Sequence, residues 1–312
     1  MKRKLFTICL ASLQFACAAE NLNNKSYEWD IYPVPANAGD GMVWKLHPQS
    51  DDFNYIADEK DKGKEFYAKW TDFYHNHWTG PAPTIWQRDH VSVSDGFLKI
   101  RASRPEDVPL KKVDTKELPG TYTGCITSKT RVKYPVYVEA YAKLSNSTMA
   151  SDVWMLSPDD TQEIDIIEAY GGDRDGGGYG ADRLHLSHHI FIRQPFKDYQ
   201  PKDSGSWHKD DKGTLWRDDF HRVGVFWKDP FTLEYYVDGE LVRTISGKDI
   251  IDPNNYTGGT GLVKDMDIII NMEDQSWRAV KGLSPTDEEL KNVEDHTFLV
   301  DWIRVYTLVP EE

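Results

Sequence analysis

Residues 161–170 read Thr161-Gln162-Glu163-Ile164-Asp165-Ile166-Ile167-Glu168-Ala169-Tyr170. Three acids stand within six positions and are separated only by isoleucines, which are β-branched and favour a strand over a helix. On an ideal strand Glu163 and Asp165 point to one face, and Glu168, five positions after Glu163, points to the other. The doubled isoleucine before Glu168 breaks this alternation. We therefore predict a β-bulge that returns Glu168 to the face of the other two acids.

Three carboxylates on one face repel one another, so their retention indicates a use for the charge. One alternative is an edge strand whose acidic face discourages pairing with another chain. The other is glycoside hydrolysis, in which one carboxylate attacks the anomeric carbon and a second protonates the leaving oxygen. On this hypothesis Glu163 is the charged nucleophile, Glu168 is the acid that its charged neighbours keep protonated near neutral pH, and Asp165 between them holds Glu163 in place.

The rest of the chain also predicts strands. Close to a dozen short alternating or aromatic runs follow one another, each bounded by Gly, Pro, Asp or Asn. Asp95-Gly96 and Asp238-Gly239 are two-residue hairpin signals between such runs. With little predicted helix and no repeat or linker, this pattern is typical of an all-β sandwich or barrel in one domain.

The string from Glu163 to Glu168 resembles the active-site signature of glycoside hydrolase family 16, in the bulged form shared by agarases, porphyranases and carrageenases. The likeness runs from about Tyr27 to Tyr306. Other stretches resemble the β-agarases in particular: His75–Pro81, Ala150–Pro158, His185–His189, Asn271–Trp277 and Val300–Tyr306.

This resemblance implies a β-jelly-roll sandwich of two curved antiparallel sheets, the concave one forming a long substrate groove. It implies an endo-acting, retaining hydrolase of the β-1,4 galactosidic bonds of agarose. Porphyranase or carrageenase activity is the alternative within the family, and their sulfated substrates would require Arg or Lys in the groove. A different alternative is a lectin-like protein that binds galactans without cleaving them.

The resemblance also assigns substrate-binding residues. Trp78 and Trp154 are expected to stack on sugars, with core packing as the alternative for Trp78. His189, Arg193 and Glu273 are expected to bind hydroxyl groups.

Metal ions are considered for two places in the chain. Alternation along Leu184–Arg193 places His185, His189 and Arg193 on one strand face. A catalytic metal is disfavoured there because carboxylate or cysteine ligands are not close in sequence and no HExxH motif exists, and His185 or His188 is expected to be structural. No cofactor for catalysis is therefore predicted. The resemblance implies a structural calcium ion held by Asp301 and the backbone carbonyl of Gly96.

The first 18 residues have the basic start, short apolar run and small-residue end of an export signal, so residues 19–312 are predicted to form a single catalytic domain. We expect cleavage after Ala18 and release outside the cell or into the periplasm. Lipoprotein attachment to the outer membrane through Cys17 is the alternative. If cleavage follows Ala18, Cys125 is left unpaired in the released chain, which excludes an intrachain disulfide.

The chain is acidic and aromatic. Its net charge is −14, and removing three basic residues with the signal leaves 34 basic and 51 acidic side chains, or about −17. Nucleic acid and anionic membranes are therefore not expected as partners, and no later run is apolar enough to span a bilayer. A neutral agar-type galactan, whose sugar faces can stack on aromatic rings, is the expected partner of a monomeric protein.

Overall fold

The computed structural model describes residues 26–174 and 180–311. The predicted export signal with Cys17, and most of the loop at 173–178, lie outside the described residues. No helix in the described ranges is long and apolar enough to cross a membrane. The chain divides into a short unit, Met1–Pro33, and a large unit, Val34–Glu312. In the short unit, Glu28–Ile31 is a single 3-10 turn in which Tyr27 stacks on Trp29.

The large unit contains almost all of the regular structure, and most of it is strand. The strands are β1 Met42–Leu46, β2 Trp70–Thr71, β3 Thr84–Trp86, β4 Val91–Ser94, β5 Phe97–Arg101, β6 Leu110–Val113, β7 Lys116–Pro119, β8 Thr121–Thr123, β9 Cys125–Ser128, β10 Val136–Lys143, β11 Ala150–Leu156, β12 Gln162–Tyr170, β13 Leu184–Arg193, β14 Phe196–Tyr199, β15 Trp207–His208, β16 His221–Asp229, β17 Thr232–Val237, β18 Glu240–Ser246, β19 Asp267–Glu273 and β20 Thr297–Pro310.

Helices are short and lie between strands. The α-helices are α1 Gly63–Lys69, α2 Lys248–Ile251 and α3 Ser276–Ala279, and the 3-10 turns are Arg88–His90, Ser204–Ser206 and Glu289–Lys291.

Two antiparallel sheets of eight strands each form the sandwich, which confirms the predicted all-β jelly-roll class. The first has the order β18-β17-β16-β10-β20-β5-β4, with β1 beside β20. The second has the order β14-β13-β12-β11-β19-β9-β2, with β15 beside β13. Short β3 and β8 pair in parallel, and β6 and β7 form a separate hairpin.

The core lies between the two sheets because alternate residues of their strands are apolar. On β12, Ile164 and Ile166 belong to the large buried cluster together with Val138 of β10 and Ile268 of β19. A smaller cluster around Tyr74, on the outer face of the second sheet, contains Trp154 and Trp86. The second sheet thus packs against the core on its inner face and carries a cluster of aromatic side chains on its outer face.

Two predicted strands differ from the structure. The run from Trp86 to Val93 is interrupted by the 3-10 turn Arg88–His90, so its two ends join different sheets. The run from Tyr122 to Lys129 breaks at Gly124, where a Cβ atom would lie 2.7 Å from the carbonyl oxygen of His90. Close packing against a neighbouring backbone, which local alternation does not encode, causes this break.

Candidate active site

A bulge in β12 places the three acids on one face. Across β11, Asp165 is opposite Trp154 and Ile167 is opposite Val153, so Ile166 has no partner residue in this pairing. Between the pairs that Asp165 and Glu168 form with β13, β12 has two residues and β13 has one. The predicted bulge is confirmed, and Glu163, Asp165 and Glu168 line the same groove on the outer face of the second sheet.

The groove has a volume of about 880 Å³ and combines aromatic rings with many acids. All five predicted substrate-binding residues line it. Its aromatic side chains are Tyr74, Trp78, Trp154, Phe191, Trp207 and Trp277. Its carboxylates are Asp152, Glu163, Asp165, Glu168, Asp198, Asp203 and Glu273, and its Arg and Lys side chains are Arg183, Arg193 and Lys202.

Glu163 and Asp165 share a histidine from β13. His189 Nε2 lies 3.7 Å from Asp165 Oδ2 and 4.0 Å from Glu163 Oε1, and its Nδ1 is 2.8 Å from Asp198 Oδ1. Burial lowers the pKa of His189, but the bond to Asp198 and the two nearby carboxylates outweigh it and raise this pKa to about 10. His189 therefore places a positive charge opposite Glu163. Burial and the charge of Asp165 raise the pKa of Glu163 well above its usual range.

Glu168 has a different set of neighbours. Its Oε1 accepts hydrogen bonds from the Tyr170 hydroxyl at 2.7 Å and from Gln275 Nε2 at 3.1 Å, and its Oε2 lies 2.5 Å from His185 Nδ1. Burial raises the pKa of Glu168, but the charge of His185 and the bonds from His185 and Tyr170 lower it to about 2. The expectation that like charges keep Glu168 protonated is therefore wrong for this site, because bonds that favour its carboxylate form prevail.

A buried asparagine connects the remaining acids to Trp154. Asn271 Oδ1 accepts a hydrogen bond of 2.6 Å from the Trp154 indole, and its Nδ2 donates to Asp152 at 3.0 Å and to Glu273 at 3.2 Å. Burial and the charge of Glu168 raise the pKa of Glu273 to about 8. Burial and the charge of Glu273 raise the pKa of Asp152 well above its usual range. Both groups can therefore hold protons at neutral pH, which limits the negative charge beneath Asp165.

Trp78 is held at the groove by its loop. The residue is 47% exposed and its ring packs edge-on against Tyr74 and Trp86 at 5.5 Å each, so the side chain both packs and remains accessible from the groove. The loop is tied to the turn before β12, because Asp160 accepts from the Tyr74 hydroxyl and from Asn76 Nδ2. Asn76 Oδ1 in turn accepts from the backbone amide of Trp78.

Arg193 lies at the far end of the β13 face and is exposed. Its guanidinium is 4.4 Å from the centre of the Phe191 ring and 5.9 Å from that of Phe196. This stacking holds a cation at the groove edge, where no carboxylate of the residues described by the structure forms an ion pair with it. His188, in contrast, is buried and its Nε2 lies 2.9 Å from the carbonyl oxygen of Ile251, which fits the structural role expected for it.

Within the described ranges, two groups have three metal-type side chains with donor atoms within 4.8 Å of one another: Glu163, Asp165 and His189, and Asp165, Glu168 and His185. Hydrogen bonds from His189 to Asp198 and from His185 to Glu168 account for both arrangements. We therefore interpret these side chains as hydrogen-bonded catalytic groups.

The residues proposed for calcium lie on the first sheet. Leu98 of β5 pairs with Val300 of β20, which is the last pair of this register, and Asp301 follows directly, at a bulge in the pairing of β20 with β10. Asn54 Oδ1 lies 3.3 Å from the position that a Cβ of Gly96 would occupy. A carboxylate, an amide oxygen and a backbone carbonyl are the oxygen ligands that Ca²⁺ prefers, so these residues fit the ion.

Sequence reasoning missed several residues of the site. His185 is on the same alternating face as His189 and could have been assigned to the groove, although it was expected to be structural. Tyr170 follows Glu168 by two positions and shares its face by the same rule. Asn271 lies on β19 and Gln275 lies in the segment after it. Only the order of the strands in the sheet brings them close to β12.

Comparisons with known proteins agree with this geometry. Residues 44–308 match the family model described as β-porphyranase A–D, GH16 domain. A β-agarase of Phocaeicola plebeius is 98% identical over 316 residues, covering 100% of both chains. An extracellular agarase of Streptomyces coelicolor is 32% identical over 90% of this chain and 89% of its own. The structure of an inactivated β-agarase B mutant with agaro-octaose is 52% identical, covers 91% of this chain and 100% of its own, and has a TM-score of 0.84.

Proposed function

The chain belongs to glycoside hydrolase family 16, and on that premise we propose that it is a β-agarase that cleaves β-1,4 galactosidic bonds within agarose chains, with net retention. The observation that carries this proposal is the bulge in β12, which turns Glu163, Asp165 and Glu168 into one groove. A retaining mechanism uses such a pair of carboxylates, one as nucleophile and one as acid and then base. Six aromatic side chains line the groove, which suits the binding of several sugars of a polymer that is cut internally.

In the proposed mechanism Glu163 attacks the anomeric carbon while Glu168 protonates the leaving oxygen. The charge of His189 opposite Glu163 favours the ionised nucleophile, in opposition to burial and to the charge of Asp165, which raise the pKa of Glu163. Asp165 is the carboxylate between the two glutamates. Water then attacks the covalent intermediate, and Glu168 removes its proton. One proton must be on the acid before the first step, although the neighbours of Glu168 favour its carboxylate form. The acid role therefore requires a proton source beside Glu168.

Sugar binding is assigned to the groove residues around these acids. Trp78 offers its exposed ring as a stacking platform, and Trp154 is fixed by its bond to Asn271 with its ring facing the groove. His189, Glu273 and Arg193 present polar groups that can bond sugar hydroxyls.

Agarose is favoured over sulfated galactans by the charge of the groove. Seven Asp and Glu side chains line it against three Arg and Lys side chains. Of those three cations, Arg183 faces Asp182 at 3.6 Å and Arg193 stacks on Phe191. Sulfate esters bind best where Arg and Lys side chains are close, whereas Asp and Glu side chains outnumber Arg and Lys in this groove. The agarase relatives point to the same substrate, and porphyran remains the second candidate because the matching family model is described by that activity.

Incubation of the purified protein with agarose, porphyran and carrageenan tests the activity. We expect new reducing ends from agarose, a rapid fall in viscosity that marks internal cleavage, and a first product in the β configuration by proton NMR. Glu163→Gln and Glu168→Gln should each lower kcat by a factor on the order of 10³ or more with unchanged circular dichroism. Glu117→Gln, at an exposed position of β7, is the matched control and should keep full activity.

Three results would reject the proposal. Binding of agarose without product formation would support the lectin-like alternative. Faster release of reducing ends from porphyran than from agarose would support the second candidate. Retained activity in either catalytic variant would refute the assignment of Glu163 as the nucleophile or of Glu168 as the acid and base.

The same proposal includes export and a structural ion. The basic and apolar start of the chain supports a cleaved signal over residues 1–18, and lipid attachment at Cys17 is the alternative route. A calcium ion held by Asp301, Gly96 and Asn54 is supported by the position of Asp301 directly after the last pair of β5 with β20 and by Asn54 Oδ1, which lies 3.3 Å from the Cβ position of Gly96. When bound, this ion would crosslink the hairpin before β5 to β20 and supply no catalytic chemistry. We expect the enzyme to act as a monomer.

A further inference from the structure

His185 makes a close contact with the acid that the proposed mechanism uses. Its Nδ1 lies 2.5 Å from Glu168 Oε2, and its ring stacks on Trp207 with centroids 4.3 Å apart. The side chain is 3% exposed, and its Nε2 is buried without a hydrogen-bond partner. A buried imidazole with one nitrogen unpartnered is costly, so a role in core stability does not explain its position. Its other ring nitrogen makes the contact with Glu168, and a carboxylate oxygen of Asp165 lies within 4.8 Å of a ring nitrogen.

We propose that the proton used by Glu168 is held in the hydrogen bond between His185 Nδ1 and Glu168 Oε2, so that His185 is a positioning residue that acts through Glu168. This inference rests on the proposed function, because it assumes that Glu168 is the acid and base of the reaction. This hydrogen bond would supply the proton that Glu168 requires as an acid, although the other neighbours of Glu168 are hydrogen-bond donors that favour its carboxylate form.

The proton can lie on either atom of this contact. With the proton on Nδ1 the pair is an imidazolium and a carboxylate, and with the proton on Oε2 it is a neutral imidazole and a carboxylic acid. Both forms have the same total charge and differ only by a short transfer along the hydrogen bond. The carboxylic acid form is the one that can protonate the leaving oxygen.

The steps balance in protons and bonds. In the first, the pair gives one proton to the glycosidic oxygen, the bond from that oxygen to the anomeric carbon breaks, and Glu163 forms a bond to the same carbon. The pair is left as a carboxylate and a neutral imidazole. In the second, water attacks the anomeric carbon, the bond to Glu163 breaks, and the proton lost by water returns to the pair. No group is oxidised or reduced.

The surroundings act on the proton of the pair in both directions. The charged or titratable groups that face it from β11, β12, β13, β19 and α3 are Asp152, Glu163, Asp165, Tyr170, His189, Glu273 and Arg278. Four of these seven are carboxylic acids, which favour a positive charge on the imidazole when they are ionised, and Asp165, with a pKa raised to about 6, is the one of them most readily ionised near neutral pH. Arg278, which lies 4.0 Å from the Tyr170 ring centre, and His189 act in the opposite direction.

Two sites for one proton bind it more strongly than either site alone. If His185 is replaced by a side chain that cannot accept the proton, the form with the proton on the imidazole is lost and only the carboxylic acid remains. Equal populations of the two forms would give a loss of about 0.3 pH units, and a larger share on the imidazole gives more. Because the charged His185 is the main favourable influence on the Glu168 carboxylate, we expect a larger effect of about one pH unit, or tenfold in proton affinity.

His185→Asn is the test, because an asparagine Nδ2 occupies the place of Nδ1 and can donate to Glu168 but cannot carry the proton. In wild type and variant, kcat/KM is measured against pH with a soluble agaro-oligosaccharide. We expect the midpoint of the alkaline limb to lie about one pH unit lower in the variant, with circular dichroism unchanged. Only the carboxylic acid form protonates the leaving oxygen, and the variant holds its whole proton in that form. With the proton affinity of the carboxylate itself unchanged, kcat/KM should therefore rise up to about tenfold on the acid side of the midpoint and match the wild type on the alkaline limb.

His188→Gln is the matched control. This histidine is also buried on β13, and a glutamine keeps the contact of Nε2 with the carbonyl oxygen of Ile251. Its burial lowers its pKa to about 4, so it is uncharged over the pH range of the assay. We expect its pH profile to match that of the wild type.

A superimposable profile for a folded His185→Asn variant would overturn the inference, and so would an equal shift in His188→Gln. If the first variant does not fold, NMR titration of the ring nitrogens of His185 in the wild type replaces it. The imidazole should then lose its proton at the midpoint of the alkaline limb, and a midpoint more than about one pH unit away would overturn the inference. Activity retained by Glu168→Gln would instead reject the proposed function itself.

Discussion

Replacing Asp160 should weaken agarose binding without slowing the chemical step. Its carboxylate lies 3.0 Å from the Tyr74 hydroxyl, 2.7 Å from His75 Nε2 and 2.9 Å from Asn76 Nδ2. Through Asn76 this cluster also fixes the backbone of Trp78, whose ring is the proposed stacking platform. A single carboxylate thus orders a loop of five residues at one side of the groove.

The size of the effect follows from these bonds and from their exposure. A hydrogen bond to a charged group contributes about 1.5–3 kcal/mol when it is shielded from water. The side chain of Asp160 is 25% exposed, so water replaces part of each lost bond, and we take about 2 kcal/mol for the three together. If the loop must be ordered again on binding, Asp160→Ala should raise KM by a factor of about 30. The catalytic acids keep their own partners, so kcat should stay within about threefold.

The assay measures kcat and KM on agaro-oligosaccharides of increasing length. Asp160→Asn, which keeps one acceptor oxygen, should lie between the wild type and Asp160→Ala. Asp159→Ala is the matched control, because this neighbouring carboxylate bonds Ser157, Thr161 and Lys264 and none of the loop residues. A KM within twofold of the wild type for Asp160→Ala, or a fall in kcat alone, would refute the reasoning.

Three further predictions concern stability. Glu139→Gln should lower the free energy of unfolding by about 3 kcal/mol, because Arg304 is fully buried and would lose the carboxylate that lies 2.6 Å from its Nε. Urea denaturation measures this, and an unchanged midpoint of unfolding would contradict the prediction. Glu273 has its pKa raised from 4.5 to about 8 by burial and the charge of Glu168, so its contribution to stability is present below pH 4.5 and is lost as pH rises through about 8. Glu273→Gln should therefore reduce the loss of Tm between those pH values, measured by calorimetry. Calcium should raise the Tm of the wild type by several degrees over EDTA and should not do so for Asp301→Asn; equal shifts in both would exclude the proposed ligand.

Local sequence rules predicted the parts of the fold that depend on neighbours along the chain. The bulge in β12 was predictable because a doubled isoleucine changes which face Glu168 takes. The hairpin turns at Asp95-Gly96 and Asp238-Gly239 were predictable because both residues of each turn have positive φ, which Asp and Gly tolerate.

The remaining parts depend on contacts between distant segments. Asn271 reaches Trp154 because β19 lies beside β11, although more than a hundred residues separate them in sequence. The protonation of Glu168 was wrongly predicted for the same reason. The argument from like charges counted only the acids on β12, whereas the charge of His185 from β13 and the hydrogen bonds from His185 and Tyr170 lower the pKa of this side chain.

The bulge has a second consequence, for the pairing of β12 with β13. Glu163 and Glu168 are five positions apart, whereas the histidines opposite them, His189 and His185, are four apart. In a regular antiparallel pair with His189 opposite Glu163, His185 would lie one position out of register with Glu168. The side chains of His185 and Glu168 would then point to opposite faces of the sheet. The extra residue of the bulge absorbs this difference, so each glutamate has its own histidine on the groove face. The two histidines then differ in their second contact, since His189 bonds Asp198 and His185 has only Trp207 stacked on it. One glutamate therefore faces a cation held by another carboxylate, and the other faces an imidazole that is able to share its proton.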